Sequence, residues 1–366
     1  MDKQIYTRYH RQLILPGFGM DAQQRLLNAR VLVIGAGGLG CPVLTVLTGA
    51  GIGTIGIVDD GLVELSNLHR QLIYSTADVG LLKVECASRV LRALNPSIVL
   101  NTYPLRLHAG NALDILSDYD LIIDGTDNFQ TRYMVADACA LLGKPLVYGA
   151  ISRYEGQVAL FEGPVSYRDL FPHPPGAGEV PNCSEAGVLG VLPGIIGHFM
   201  ANEAIKFLTG IGEPLTGRLL TYSALDNRVF TVTIPSTIEG ADLLPRSRED
   251  FEGRDYPALC GVQAVSGSEI DVDGFHALLE RGGVEVVDVR EYHEQPELQG
   301  IAHRRIPLSV LPQQMDTIQS DADTVVFVCQ SGARSLRAAS AFQAAGPSAH
   351  ALRVYSLKGG VHALLG

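Results

Sequence analysis

Basic charge is in short supply: Lys and Arg number 28 against 39 Asp and Glu, a formal net charge of −11. A nucleic-acid binder ordinarily shows a basic balance and a basic patch, so that class is disfavoured. No C-x-x-C pair occurs among the six cysteines, Cys41, Cys86, Cys139, Cys183, Cys260 and Cys329. That spacing supports neither a disulfide framework nor a zinc ribbon. Long hydrophobic runs are also missing. The most apolar stretch, GVLGVLPGIIGHFM over residues 187–200, is shorter than a membrane span, contains Pro193 and His198, and is read as a buried helix. The opening MDKQIYTRYHRQ is polar and has no apolar signal core, so a cytoplasmic protein is expected. Internal repeats and low-complexity tracts are not visible.

What is present is a chain of 366 residues, 46% apolar, which is enough to bury two cores of ordinary size. From Arg30 short apolar runs alternate with helical patterns: RVLVIG, TIGIVDD, SIVLNTY, DLIIDGTD and PLVYGA, with a long helical stretch around residues 83–94. This alternation predicts βαβ units on a parallel sheet. Between residues 161 and 181 the pattern dissolves into FEGPVSYRDLFPHPPGAGEVP, read as an ordered loop over an active site. A second smaller α/β pattern follows, with VEVVDVR, TVVFVCQSGARS and LRVYSLKGGVHALLG. The expected organisation is an α/β domain over residues 1–240, a linker over 241–262 marked by Pro, Gly and charge clusters, and a small α/β domain over 263–366.

GAGGLG, residues 35–40, matches G-x-G-x-x-G between a strand and a helix. Asp59 follows about 20 residues on, at the end of the second strand. Glycines there let the backbone approach phosphate, and a carboxylate at the strand end can hold a ribose hydroxyl. Alone, the pattern fits a nicotinamide or flavin dehydrogenase. The chain then adds Asn67, Arg70 and Gln71 in SNLHRQ and Lys83 at a helix start. A dinucleotide pyrophosphate needs little beyond backbone amides, whereas a triphosphate that loses pyrophosphate calls for fixed cations. DGTDN, residues 124–128, ends another strand at the same carboxyl edge, and Asp127 is a candidate magnesium ligand beside phosphate oxygens.

Here the chain resembles the HesA/MoeB/ThiF family, the ubiquitin-activating-enzyme-like adenylyltransferases that act on small sulfur-carrier proteins. RYHRQLILPGFG, VLVIGAGGLG, SNLHRQ, GTDN and NCSEAGVLGVLPGIIG carry the likeness over about residues 5–235. The resemblance implies a Rossmann-like adenylation domain that binds ATP and Mg²⁺. Its nucleotide residues would be Gly35, Gly37, Gly38, Gly40, Asp59, Asn67, Arg70, Lys83, Asp127 and Asn128, with Asp127 on the metal. Arg11 in YHRQ would act as an arginine finger in a partner subunit's site, which implies a homodimer. The partner would be a ubiquitin-like carrier ending in Gly-Gly. Two departures stand out. The family often has D-x-D where this chain has Asp59, Asp60 and Gly61. Many relatives also hold a structural zinc with two C-x-x-C pairs, while the first matching positions here are Ser166 and Asp169, so no structural zinc is expected.

Cys183, in PNCSEAG before an apolar helix, reads by itself as a small buried hydrophobe; the family resemblance makes it a thiol that meets the activated carrier. Cys329 ends an apolar run and opens CQSGARS, where a phosphatase and a sulfurtransferase are the competing readings. A phosphate loop of the C-x5-R kind is wider; here only four residues separate Cys329 from Arg334, a loop that suits a persulfide's terminal sulfur. DVRE, CQSGARS and SLKGGVHA together resemble the rhodanese family over about residues 263–366, although its usual G-H-I-P-G-A segment is QGIAHRRIP here. Cys329 would carry the persulfide, amides of residues 331–334 would form an anion nest, and Arg334 would orient the loop. The expected activity is adenylation of the carrier followed by sulfur transfer from Cys329, with thiosulfate or a cysteine desulfurase as donor. A dehydrogenase and a non-catalytic scaffold for a ubiquitin-like protein are the alternatives.

Overall fold

The computed structural model describes residues 3–175, 187–260, 268–318, 322–344 and 352–365, and the chain divides into two units, Met1–Gly261 and Val262–Gly366.

The first unit is built on β1 (Arg30–Ile34), β2 (Thr54–Val58), β3 (Val99–Tyr103), β4 (Leu121–Asp124), β5 (Leu146–Ser152), β6 (Glu155–Phe161), β7 (Arg218–Ser223) and β8 (Val229–Thr233). They form one sheet in the order β3-β2-β1-β4-β5-β6-β7-β8; the first five run parallel and the last three are antiparallel. The period-2 geometry of a strand explains why β1 is apolar throughout. Val31 and Val33 enter the core on one face, and Leu32 and Ile34 enter the core on the other.

Helices α1 (Lys3–Leu13) and α2 (Gly19–Asn28) precede the sheet, and α3 (Gly40–Ala50) and α4 (Lys83–Leu94) follow β1 and β2. The helices α5 (Ala109–Ser117) and α6 (Phe129–Leu142) bury Leu113, Leu116 and Val135 in the second of the two cores. A single-turn helix α7 (Tyr167–Leu170) and the long α8 (Leu192–Thr209) complete the main set. The apolar stretch 187–200, expected to be a buried helix, is helical only from Leu192, with Leu189 and Val191 exposed ahead of it; α8 has Pro193 near its N-terminus and sinks Leu192, Ile196 and Met200 into the first core.

Of the stretch expected to be a linker, residues 241–262, the described part up to residue 260 is folded, and 261–262 lie outside the described residues. The folded part carries α9 (Ile238–Leu243), α10 (Arg248–Glu252) and α11 (Tyr256–Leu259), and Phe251 and Tyr256 are buried in the first unit. Three donors converge on the buried carboxylate of Asp137 in α6: Arg168 at 2.9 and 2.8 Å, Arg254 at 3.2 Å and the Tyr256 hydroxyl at 3.0 Å. Short helices without an apolar period are invisible to pattern reading, and here a buried charge network holds them. The region of residues 161–175 is likewise tied down, because Arg168 of α7 belongs to that network and stacks over Tyr133.

The second unit has β9 (Ser268–Ile270), β10 (Val284–Asp288), β11 (Arg304–Arg305), β12 (Thr324–Val328) and β13 (Arg353–Leu357), all parallel, in the order β11-β10-β12-β13-β9. Central β12 is buried along its whole length, with Val325 and Phe327 in one core and Val326 and Val328 in the other. The helices α12 (Val272–Arg281), α13 (Leu311–Gln314), α14 (Ala333–Ala344) and α15 (Gly360–Leu365) complete the unit.

Removing Asp137 leaves the Arg168 guanidinium, 2% exposed, without its counter-charge. Asp137→Ala is expected to lower the stability of the first unit by about 3 to 5 kcal/mol in urea unfolding followed by circular dichroism. A loss below about 1 kcal/mol, the range of surface pairs, would contradict the assigned role.

Candidate functional site

The strand order reverses between β1 and β4, so the loops leaving their carboxyl ends diverge and open a crevice. A cleft of about 450 Å³ lies there. Its floor is the glycine turn. Gly35 has φ +91°, a region that favours glycine, and Gly37 and Gly38 line the cleft. Gly40 does not line it but permits it: a β-carbon at residue 40 would sit 1.9 Å from the Gly35 carbonyl oxygen. The start of α3 can therefore lie against the end of β1.

Asp59 fixes this turn from the next strand end. One carboxylate oxygen accepts the Ala36 N–H at 2.8 Å and the other accepts the Gly61 N–H at 2.8 Å. Asp60, the displaced second acid, also lines the cleft and is exposed. Asn67, 7% exposed, lines the wall and closes its own turn by accepting the Glu64 N–H at 3.2 Å. Arg70 is anchored by donating to the Ser66 carbonyl at 2.9 Å, and Lys83 stands at the first position of α4. Among the described residues neither cation has an ion-pair partner, while both line the cleft. Gln71 adds a polar group: it is 4% exposed, lines the cleft, and its Oε1 has no hydrogen-bond partner among the described residues. Unpaired cations and an orphaned buried amide oxygen fit an anionic ligand with hydroxyl or amino groups.

From β4, Asp127 and Asn128 reach the same cleft. Asn128 also caps α6, its Oδ1 accepting the Thr131 N–H at 2.9 Å. Asp124 is buried and its acidity is weakened by burial, against the pull of Arg132 and Thr126. Asp127 is exposed, so its carboxylate is open toward the cleft. Among the described residues no group of three or more His, Cys, Asp or Glu could hold a metal by itself. Magnesium shared with phosphate needs only one or two carboxylates, and Asp127, in a cleft also lined by Asp60 and Asn128, suits that role. Arg11 lies on the exposed side of α1 and does not line the cleft.

Arg132 was not legible as a site residue. One turn beyond the Asn128 cap, it points back to the same loop, donates to the Thr126 carbonyl at 2.8 Å, and stacks over Phe129 and Tyr148. It lines the nucleotide-type cleft and also a second one of about 350 Å³. That second cleft also shares Asp127 and is walled by Phe129, Tyr133, Tyr148, Tyr167 and Phe171. The spacing of Arg132 from Asn128 is the only sequence signal it left.

Ser166 and Asp169, where the resemblance places cysteines, make a hydrogen-bonded clip. Asp169 accepts the Ser166 N–H at 2.7 Å and hydroxyl at 3.0 Å through one oxygen. Its other oxygen accepts the Thr237 N–H at 2.6 Å and hydroxyl at 2.9 Å. A carboxylate thus joins α7 to the start of α9.

Burial pushes the thiol of Cys41 up to about 12 and that of Cys260 up to about 11, and it raises Cys86 and Cys139 as well. These four stay as unreactive thiols. Cys183 lies outside the described residues.

In the second unit Cys329 directly follows β12 and is fully buried. Its sulfur accepts the Gly332 N–H at 3.2 Å. The loop is pinned from three sides. Arg334 grips Glu294 with two bonds of 2.6 Å. Arg290, itself fully buried against Asp288, reaches the Gln330 side chain at 3.2 Å. From α15, the Val361 N–H donates to the Cys329 carbonyl at 2.8 Å and the His362 N–H to that of Gln330 at 3.1 Å. A β-carbon at Gly360 would meet the Cys329 carbonyl at 2.1 Å, so only glycine permits this approach.

These two sites define an adenylation-type α/β unit followed by a persulfide-type loop on a small parallel sheet. The ThiF family model matches residues 9–239 and the rhodanese-like domain model matches residues 271–365. The chain belongs to the ThiF family and carries a rhodanese-like domain. It is 44% identical over 363 residues to the probable adenylyltransferase/sulfurtransferase MoeZ of Mycobacterium tuberculosis, covering 94% of this chain and 90% of that protein. It is 51% identical to the sulfur carrier protein adenylyltransferase of Thermus thermophilus, covering 71% of this chain and 98% of the relative. The solved structure of E. coli MccB with ATP shares the fold of the first unit, with TM-score 0.56 and 21% identity over 63% of this chain and 72% of MccB.

The Arg334 guanidinium holds the Glu294 carboxyl below its ordinary value of 4.5. A carboxylate stabilised in this way contributes stability above that value and loses it as pH falls through the lowered one. Glu294→Gln is expected to destabilise the second unit by about 1 kcal/mol at neutral pH. The difference from the parent closes under acid, as chemical denaturation at both pH values would show; a difference that grows under acid would contradict the pairing.

Proposed function

We infer that the chain is an adenylyltransferase and sulfurtransferase: the first unit activates the C-terminal glycine carboxylate of a ubiquitin-like sulfur carrier with ATP, and Cys329 delivers sulfur to it. The observation that carries the reading is the pairing, in one chain, of a cleft lined by Arg70 and Lys83, which have no ion-pair partner among the described residues, and a buried cysteine whose sulfur accepts the Gly332 N–H. A nicotinamide dinucleotide would give those cations little to do.

A carboxylate resists nucleophiles at neutral pH because no good leaving group is present. In the proposed step a carboxylate oxygen attacks the α-phosphorus of ATP, the bond from that phosphorus to the bridging oxygen breaks, and pyrophosphate departs with the electron pair. The backbone of residues 35–38 seats the phosphates, Asp59 accepts from the ribose, and Arg70 and Lys83 stabilise charge on the departing pyrophosphate. Magnesium held by Asp127, when bound, neutralises phosphate charge. Arg132 and the aromatic cleft beside it suit the carrier's C-terminal tail, with the guanidinium near the carboxylate. Arg11 would complete the site of a partner subunit in a homodimer.

In the second step the terminal sulfur of a Cys329 persulfide attacks the adenylate's carbonyl carbon and AMP leaves, giving an acyl disulfide. A thiolate, that of Cys183 or an external one, then attacks the Cys329 sulfur and releases the carrier thiocarboxylate. Thiosulfate or a cysteine desulfurase would supply the sulfane sulfur. Among the described residues no helix is long and apolar enough to cross a membrane, and the proposed setting is the cytoplasm.

Lys83→Ala and Arg70→Ala should each slow ATP–pyrophosphate exchange with a Gly-Gly carrier by about 10²-fold or more. Cys329→Ala should leave that exchange nearly intact and abolish thiocarboxylate formation. Full exchange in both cation variants would refute the first site, and undiminished thiocarboxylate in Cys329→Ala would refute the second.

A further inference from the structure

Beneath Cys329 lie two serines that the activity described above leaves without a role. Ser335, in the first turn of α14, and Ser356, on β13, are both fully buried. The Ser335 hydroxyl has one hydrogen and two acceptors within reach, the Gly332 carbonyl oxygen at 2.9 Å and the Cys329 sulfur at 3.4 Å. Ser356 donates its own hydroxyl hydrogen to Ser335 Oγ at 2.9 Å. That bond occupies a Ser335 lone pair and leaves the Ser335 hydrogen to choose between carbonyl and sulfur. A neutral thiol is a weak acceptor and loses the competition to the carbonyl; a sulfur carrying a full negative charge wins it.

The charged groups around the loop are already engaged: Arg334 with Glu294, and Arg290 with Asp288 and Gln330, while His362 meets the Gln330 amide at 2.7 Å. Among the described residues, the donors at the sulfur itself are the Gly332 N–H and the Ser335 hydroxyl.

We propose that Ser335 is a catalytic residue of the sulfur-transfer half-reaction, its hydroxyl hydrogen swinging from the Gly332 carbonyl to the Cys329 sulfur whenever that sulfur is charged, with Ser356 as the positioning residue behind it. This rests on the sulfurtransferase reading of Cys329. In charging, the Cys329 thiolate attacks the sulfane sulfur of thiosulfate, the sulfur–sulfur bond of thiosulfate breaks, and sulfite leaves with the electron pair. In discharge to cyanide, the cyanide carbon takes the terminal sulfur as thiocyanate and the Cys329 thiolate leaves with the pair. The same charged sulfur is nucleophile in one step and leaving group in the other, so one donor serves both.

The test is steady-state thiosulfate:cyanide sulfurtransfer by the full chain and its variants, with melting temperature as the control for folding. Ser335→Ala should lower kcat by about 10- to 100-fold, the loss of one hydrogen bond to a charged group, and leave the thiosulfate KM within about twofold. Ser335→Thr, which keeps the hydroxyl, should recover most of the rate. Ser356→Ala should lower kcat by a smaller factor, also without moving KM. A parental kcat in Ser335→Ala overturns the proposal, as does a Ser335→Thr protein of parental melting temperature that recovers nothing. If Ser335→Ala does not fold, a parental kcat in Ser356→Ala overturns the relay. A parent chain that takes no sulfur from thiosulfate or from a charged cysteine desulfurase overturns the underlying sulfurtransferase reading instead.

Discussion

A β-carbon added to Gly40 would stand 1.9 Å from the Gly35 carbonyl oxygen, and one added to Gly360 would stand 2.1 Å from the Cys329 carbonyl oxygen. Both units depend on this same constraint. In each, a helix start is pressed against the backbone that leaves a buried parallel strand, at a distance no side chain permits. The gain is rigid placement of backbone amides. In the first unit it fixes the floor of the cleft between β1 and β4; in the second it holds the turn that presents Cys329. Buried strands supply the stiffness beneath: β1 and β12 are packed on both faces, so their carboxyl ends have little freedom to move.

Around these two fixed points the charges are arranged differently, and the difference matches the chemistry. The first cleft is lined by Arg70 and Lys83, neither of which has an ion-pair partner among the described residues, an arrangement that suits phosphate. The second site spends its cations on protein: Arg334 on Glu294, Arg290 on Asp288 and Gln330, and Arg305 on Asp288 at 3.0 Å. A loop whose arginines are all engaged presents neutral donors to its ligand. Such a pocket suits a small sulfur anion transferred onward better than a tightly held phosphate dianion.

Much of this was legible in the sequence because the signals are local. GAGGLG, GTDN and CQSGARS each place a strand end, a turn and a helix start within a few residues, and the structure puts Gly35, Asp59, Lys83 and Asp127 at one cleft as that pattern implies. What stayed hidden depends on partners far along the chain. Asp137 meets Arg254 and Tyr256 across more than a hundred residues, so the stretch ahead of the second unit read as linker although its described part is folded. Ser356 lies one strand away from the CQSGARS motif and carries no signal of its own. Arg132 belongs to no motif, and only the fold turns it back onto the Thr126 loop. The Ser166–Asp169 clip appeared only as a missing cysteine pair, and its link to Thr237 required the structure.

The central claim is that sulfur leaves Cys329 and enters a carboxyl group activated in the same chain. The most direct measurement is intact-mass spectrometry of a Gly-Gly carrier incubated with the protein, ATP and thiosulfate whose sulfane sulfur is a heavy isotope. The account predicts a carrier in which one oxygen is replaced by one heavy sulfur, formed only when ATP is present, with the same label on Cys329 before transfer. A carrier that gains unlabelled sulfur, or gains the label without ATP, would contradict it.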